Sequence, residues 1–107
     1  ALDRVVALSW RVLDRHQAMA RATGEQLSSD DRRRLHEAFL AGMRRLVDRG
    51  RQQGCFRGDL PAEWLVASFY ALIHAASDEV RAGRLEPTAA PEVLSATMRD
   101  LFLRQRR

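Results

Sequence analysis

The sequence predicts an all-α protein: an antiparallel bundle of about four helices, with the last two pairing with a second copy as an intermolecular four-helix bundle. Three observations carry this expectation. Apolar residues recur at spacings of three and four, and no stretch alternates with a period of two. Three segments rich in Gly, Pro and short polar residues, TGEQLSS, GCFRGDLP and GRLEPTAAP, divide the chain into four helical lengths. The last two lengths also carry a second apolar side, more than a bundle of four needs to cover itself.

Composition bounds the possibilities. A chain of 107 residues fits one domain and can bury a core. An apolar content of 46% argues against disorder. The longest nearly uncharged run, Trp64 to Ser77, is too short to span a bilayer, and charges at Asp3, Arg4 and Arg11 interrupt any leader-like start. A soluble, cytoplasmic protein without membrane partners is expected. The single cysteine, Cys55, allows no internal disulfide and suits a reducing compartment. All 18 basic residues are arginine, spread over every segment, and the net charge of +4 permits contact with nucleic acid without requiring it. The cluster Arg32-Arg33-Arg34 fans out around a helix and reads as a solvated face.

The first helix is expected from about Leu2 to Ala22. Leu2, Val5, Val6, Val12, Leu13 and Ala20 share its inward side, and Thr23-Gly24 ends it. Ser28 and Asp31 have the spacing of a capping box, and Asp30 and Asp31 suit a helix N-terminus. The second helix runs on to about Gln53 with Leu35, Phe39, Met43, Leu46 and Val47 inward. Gly42 and Gly50 lie on that same side, where they weaken the helix but permit close approach.

The stretch GCFRGDLPAEW contains Arg57-Gly58-Asp59, a tripeptide otherwise read as an adhesion signal. Each residue around it has a local duty instead. Gly54 suits the left-handed residue that closes a helix, and Phe56 can fold back as an apolar plug. Asp59 stands where an N-cap belongs, and Pro61 tolerates a first turn. The segment is expected to be a hinge. The third helix, about Leu60 to Ala82, has Leu65, Phe69, Leu72, Ile73, Ala76 and Val80 inward. Its other side carries Ala67, Tyr70, Ala71 and His74, with no charge until Asp78. The fourth helix, about Pro91 to Arg104, turns Leu94, Met98, Leu101 and Phe102 inward and leaves Val93, Ala96 and Leu103 on another side. These second sides make a homodimer face of Ala67, Tyr70, Ala71, His74, Asp78, Val93, Ala96 and Leu103 the expectation.

Polar groups on apolar sides supply the candidate site. Ser9 and His16 are seven apart on one side of the first helix. Either each finds a partner locally, or both orient a ligand in a cavity between the first three helices lined by Leu13, Phe39, Met43, Phe69 and Ile73. Gly42 beside the same region favours the cavity. Trp10 is counted with these ligand-binding residues, although packing is the preferred reading of its side chain. His74 and Asp78, four apart, could supply two metal ligands, fewer than a zinc site needs, so a buried or interface histidine is the preferred reading. His36 sits at the margin of the second helix and carries no argument. There is no glycine-rich phosphate loop, nucleophile elbow, HExxH or CxxC, and no catalytic residue or cofactor is assigned.

The helix order and the hinge together resemble the C-terminal regulatory domain of TetR-family transcriptional regulators. The hinge in that family has the form Arg-Gly-x-x-x-Gly-x-Phe-Arg-x-Asp-Leu-Pro, matched here by Arg49, Gly50, Gly54, Phe56, Arg57, Asp59, Leu60 and Pro61. The resemblance extends over essentially the whole chain and is most specific at the hinge and the third helix. It implies dimerisation through the last two helices and a small-molecule effector, mainly apolar, held among the earlier ones. It also implies DNA binding through an N-terminal helix-turn-helix that is not among these residues. A ligand-free dimerisation module is the alternative, followed by a small helical metal protein or enzyme using His74 and Asp78.

Overall fold

The computed structural model describes residues 2–23 and 29–103, with side chains over 16–23 excepted. Four α-helices lie among them: α1 (Leu2–Thr23), α2 (Ser29–Gln52), α3 (Ala62–Arg81) and α4 (Ala90–Phe102). No strand is present among the described residues; one isolated bridge joins Phe56 to Leu103. The helix periods therefore become helices within a residue or two of the expected bounds. Ser28, half of the expected capping box, lies outside the described residues.

Amphipathic stripes order the packing. Leu65, Phe69 and Ile73 of α3 are buried with Met43 and Val47 of α2, Leu94, Met98 and Phe102 of α4, and Leu2, Val6 and Trp10 of α1. Helix α3 packs against both α2 and α4, and α4 carries α1, which also touches α3. Among the described residues α1 and α2 make no close backbone approach. Two of the residues expected inward pay no part in the core for that reason. Val12 of α1 is 49% exposed and Leu35 of α2 is 45% exposed, because each faces a side that the other helix does not close.

The hinge is a worked helix stop. Gly54 has φ 75°, and the Gly54 amide donates to Arg51 O at 3.0 Å while the Cys55 amide donates to Gly50 O at 2.9 Å. This is the paired hydrogen-bond pattern that ends a helix through a left-handed residue. The same arrangement closes α3 at Gly83, with φ 76°. The chain then turns Phe56 back over α2, where its ring lies against Gly50 so closely that a Cβ there would meet it at 2.5 Å. Phe56 also meets Phe102 edge-on at 5.7 Å, and Phe102 meets Phe69 at 5.9 Å.

One expectation about the hinge is corrected. Asp59 is not the cap of α3: Pro61 occupies that position, without a side-chain cap hydrogen bond. Asp59 instead accepts two hydrogen bonds from Arg57, each 2.8 Å, and that guanidinium holds its carboxyl down to about 2. A strong, well-aligned cation two residues away outcompetes the amides of the next helix turn for the carboxylate. Arg57 then fastens the hinge to α4, its amide donating to Phe102 O at 2.9 Å and its Nη1 to Leu101 O at 3.4 Å. Arg51 spans the other side, donating to the carbonyls of Arg57 and Leu60. The Arg-Gly-Asp tripeptide is thus spent on the hinge itself.

Candidate functional site

Because α1 is carried by α4 and α2 by α3, the sides that α1 and α2 turn towards each other enclose an open groove of about 370 Å³. Its lining comes from Val5 and Ser9 of α1 and from Ala38, Phe39, Gly42, Met43, Arg45, Leu46 and Arg49 of α2. The helical register explains the set. On α2, positions 35, 39, 42, 46 and 49 follow one another at steps of three and four, with Ala38 and Arg45 beside them, so one side of the helix serves the groove; Met43 is shared with the core, to which Val47 and Gly50 belong. On α1, Val5, Ser9 and Val12 have the same relation, and Leu8 beside them is 60% exposed.

The expected ligand residues divide into three groups. Ser9, Phe39 and Met43 meet in this groove, next to Gly42. Trp10, Phe69 and Ile73 are buried in the core and do not border it, while Leu13 packs against that core from its edge. The His16 side chain lies outside the described residues. The space is thus a groove between two helices, and the depth that Phe69 and Ile73 would have lined is filled by those side chains. Arg45 and Arg49 were not singled out from the sequence. Their signal was present, since both are seven or fewer residues from Gly42 on one side of α2.

Polar chemistry in the groove is one-sided. Its lining holds two guanidinium groups and the Ser9 hydroxyl and no carboxylate. Asp48 and Glu63 both pair with Arg44, and Asp3 pairs with Arg99.

The expected association face is distributed differently from its sequence pattern. Ala67 and Ala71 of α3 are exposed, as are Val93 and Ala96 of α4. Trp64 extends the α3 stripe, 58% exposed and one turn before Ala67, a residue that helical spacing alone could have added. Tyr70 and His74 are half-buried and turn towards α2 instead. Tyr70 meets His36 edge-on at 4.5 Å and Phe39 at 5.8 Å, and His74 lies 4.3 Å from Tyr70. Burial holds the His74 imidazole below its ordinary value against the opposing pull of Asp78, with His36 and Arg81 adding to the lowering. Asp78 is exposed and pairs with Arg81. Leu103 packs against the core beside the bridge to Phe56.

Among the described residues no three His, Cys, Asp or Glu side chains converge as metal ligands, which leaves His74 and Asp78 as two. No described helix is long and apolar enough to cross a membrane. Cys55 is exposed. No protein-family model, curated protein or solved structure matches the chain, so its site rests on its own geometry.

Proposed function

We propose that this chain is the effector-sensing and dimerisation domain of a TetR-like transcriptional regulator. A small, mainly apolar molecule is taken up between α1 and α2, and the outer sides of α3 and α4 meet their equivalents in a second copy. DNA is bound through a separate helix-turn-helix segment, whose placement responds to α1. The observation that carries the reading is the α1–α2 groove: an apolar space of about 370 Å³, in the range of small-molecule sites, between two helices that do not pack on one another. The uncharged outer side of α3 from Trp64 to Ala75 supports the homodimer. A ligand can transmit a signal only by preferring one arrangement of α1 over another.

The ligand-free dimerisation module is favoured by one observation, the filling of the inner space by Trp10, Phe69 and Ile73. A thermal-shift screen of small apolar molecules on the chain and on Ala38→Trp separates the two. Hits that stabilise the chain and are lost on filling the groove are expected; hits that bind Ala38→Trp equally well place the ligand elsewhere and refute the groove. Sedimentation tests the other half. Ala71→Arg puts a charge into the proposed face and should turn a dimer into a monomer, and an unaltered profile would remove α3 from the interface.

A further inference from the structure

We infer that the α1–α2 groove takes an amphipathic monoanion: an apolar tail or ring carrying one carboxylate or comparable acidic head. The inference rests on the effector reading above and narrows it to a chemical class. The floor is supplied by Val5, Phe39, Met43 and Leu46, which suit a hydrocarbon body. The head group is set by Arg45 and Arg49. Neither side chain has a hydrogen-bond or ion-pair partner among the described residues, although Arg44 on the same helix pairs with both Asp48 and Glu63. Arg45 lies back over the floor, its Nη2 3.8 Å from where a Cβ on Gly42 would stand.

Arg45 and Arg49 are also four apart on α2, the spacing at which like charges repel along a helix. With no carboxylate in the lining, an acidic head between them relieves that repulsion and completes charge-assisted hydrogen bonds. The Ser9 hydroxyl, half-buried and likewise without a described partner, is the third polar group of the lining and faces the groove from α1. A neutral apolar ligand would use the floor and leave both exposed guanidinium groups to water, and a cationic one would be repelled by them.

The test titrates the whole chain with octanoate, octanol and octylammonium while following backbone amide resonances. Octanoate should bind about tenfold more tightly than octanol, with its advantage shrinking as salt rises. The largest shifts should fall on Val5, Ser9 and Gly42, and octylammonium should be the weakest of the three. In Arg45→Gln/Arg49→Gln the octanoate affinity should fall to that of octanol while octanol binding stays as it was. Gly42→Leu, which fills the floor while keeping both guanidinium groups, should weaken octanoate and octanol alike. Equal binding of octanoate and octanol in the groove overturns the anion assignment and leaves the effector groove standing. Octanoate preference that survives the double Arg variant, or shifts confined to other residues, overturns it as well. Failure of all three probes to move the groove amides overturns both readings.

Discussion

Gly50→Ala should destabilise the protein although it replaces a helix-weakening residue with the best helix former. Gly50 is buried in α2, and the added methyl would stand 2.5 Å from two atoms of the Phe56 ring and 2.9 Å from a third. Normal carbon contacts lie near 3.5–4.0 Å, so the ring must move by roughly 1 Å. It has little room to do so. Phe102 closes its far side at 5.7 Å between centroids, and the Phe56 amide is tied to Gly50 O at 3.1 Å. Overpacking of this kind costs about 1–3 kcal/mol, and outright expulsion of the ring is bounded by the roughly 3–5 kcal/mol of a Phe→Ala truncation. Helix propensity returns about 1 kcal/mol. The net is a loss of up to about 2 kcal/mol if the ring shifts and of about 2–4 kcal/mol if it is expelled.

Gly42→Ala is the matched comparison. It gains the same propensity, and its Cβ meets nothing nearer than the flexible end of Arg45 at 3.8 Å. It should stabilise by about 0.5–1 kcal/mol. Thermal unfolding of the three proteins at one protein concentration reads the result, at roughly 4–8 °C per kcal/mol for a domain near this size. The two variants should move the midpoint in opposite directions. If Gly50→Ala matches or exceeds the parent, the Phe56 plug does not bear on α2 and the close approach has been misassigned.

Two further expectations concern the hinge and the α2–α3 seam. Arg57→Ala should lower the unfolding midpoint and speed amide exchange at Leu101–Leu103, since Arg57 joins the hinge to the end of α4; unchanged exchange there would show the clamp to be idle. Asp59, held down to about 2 by Arg57, adds stability that is present above pH 3.8 and lost as pH falls towards 2, and Asp59→Asn should abolish that component of an acid titration. His74 has the opposite sign. Its folded value lies below 6.5, so the unfolded chain binds the extra proton; stability is full above pH 6.5 and falls as the pH drops from there through the folded value. Unfolding midpoints measured across that window should slope for the parent and flatten in His74→Gln, and an equal slope in both would assign the titration to another group.

Much of this fold can be read from spacing, and the places where reading fails share one cause. The stop at Gly54 was legible because few residues other than glycine accept a positive φ, and Phe56 was legible because an apolar residue just past a helix end has only the helix to cover it. The inward stripe of α3 was legible from Leu65, Phe69, Ile73 and Ala76, which recur at steps of three and four. Periodicity says that a residue lies on an apolar side; it does not say which neighbour covers that side. Val12 and Leu35 have inward spacing and stand exposed because their helices are held apart. Phe69 and Ile73 have the right character for a cavity wall and are core instead, and His36 looked marginal until α3 brought Tyr70 against it. Asp59 was misplaced for a related reason: the competing partner, Arg57, is visible in the sequence, but its reach to the α4 carbonyls, which fixes it in place, is not.

The separation of α1 from α2 ties these failures to the proposed function. Helix α2 is held by α3, and α1 mainly by α4 with a smaller contact on α3, so closing the space between them would have to shift α1 on that pair or α2 on α3. The α2–α3 seam buries Met43 and Val47 and sets His36 and Phe39 against Tyr70, while its ion pair, Arg44 with Glu63, is exposed and adds little. Helix α1 is joined to α4 by a single described ion pair, Asp3 with Arg99, exposed at 3.2 Å, in addition to the buried side chains of Leu2, Val6 and Trp10. An exposed pair of that kind contributes little, about 1 kcal/mol at most. On the proposed function, a ligand that touches both walls acts by shifting α1. The effect of such a ligand would be set by the difference in contacts it made with Val5 and Ser9 before and after α1 adjusted, however tightly Arg45 and Arg49 held an acidic head.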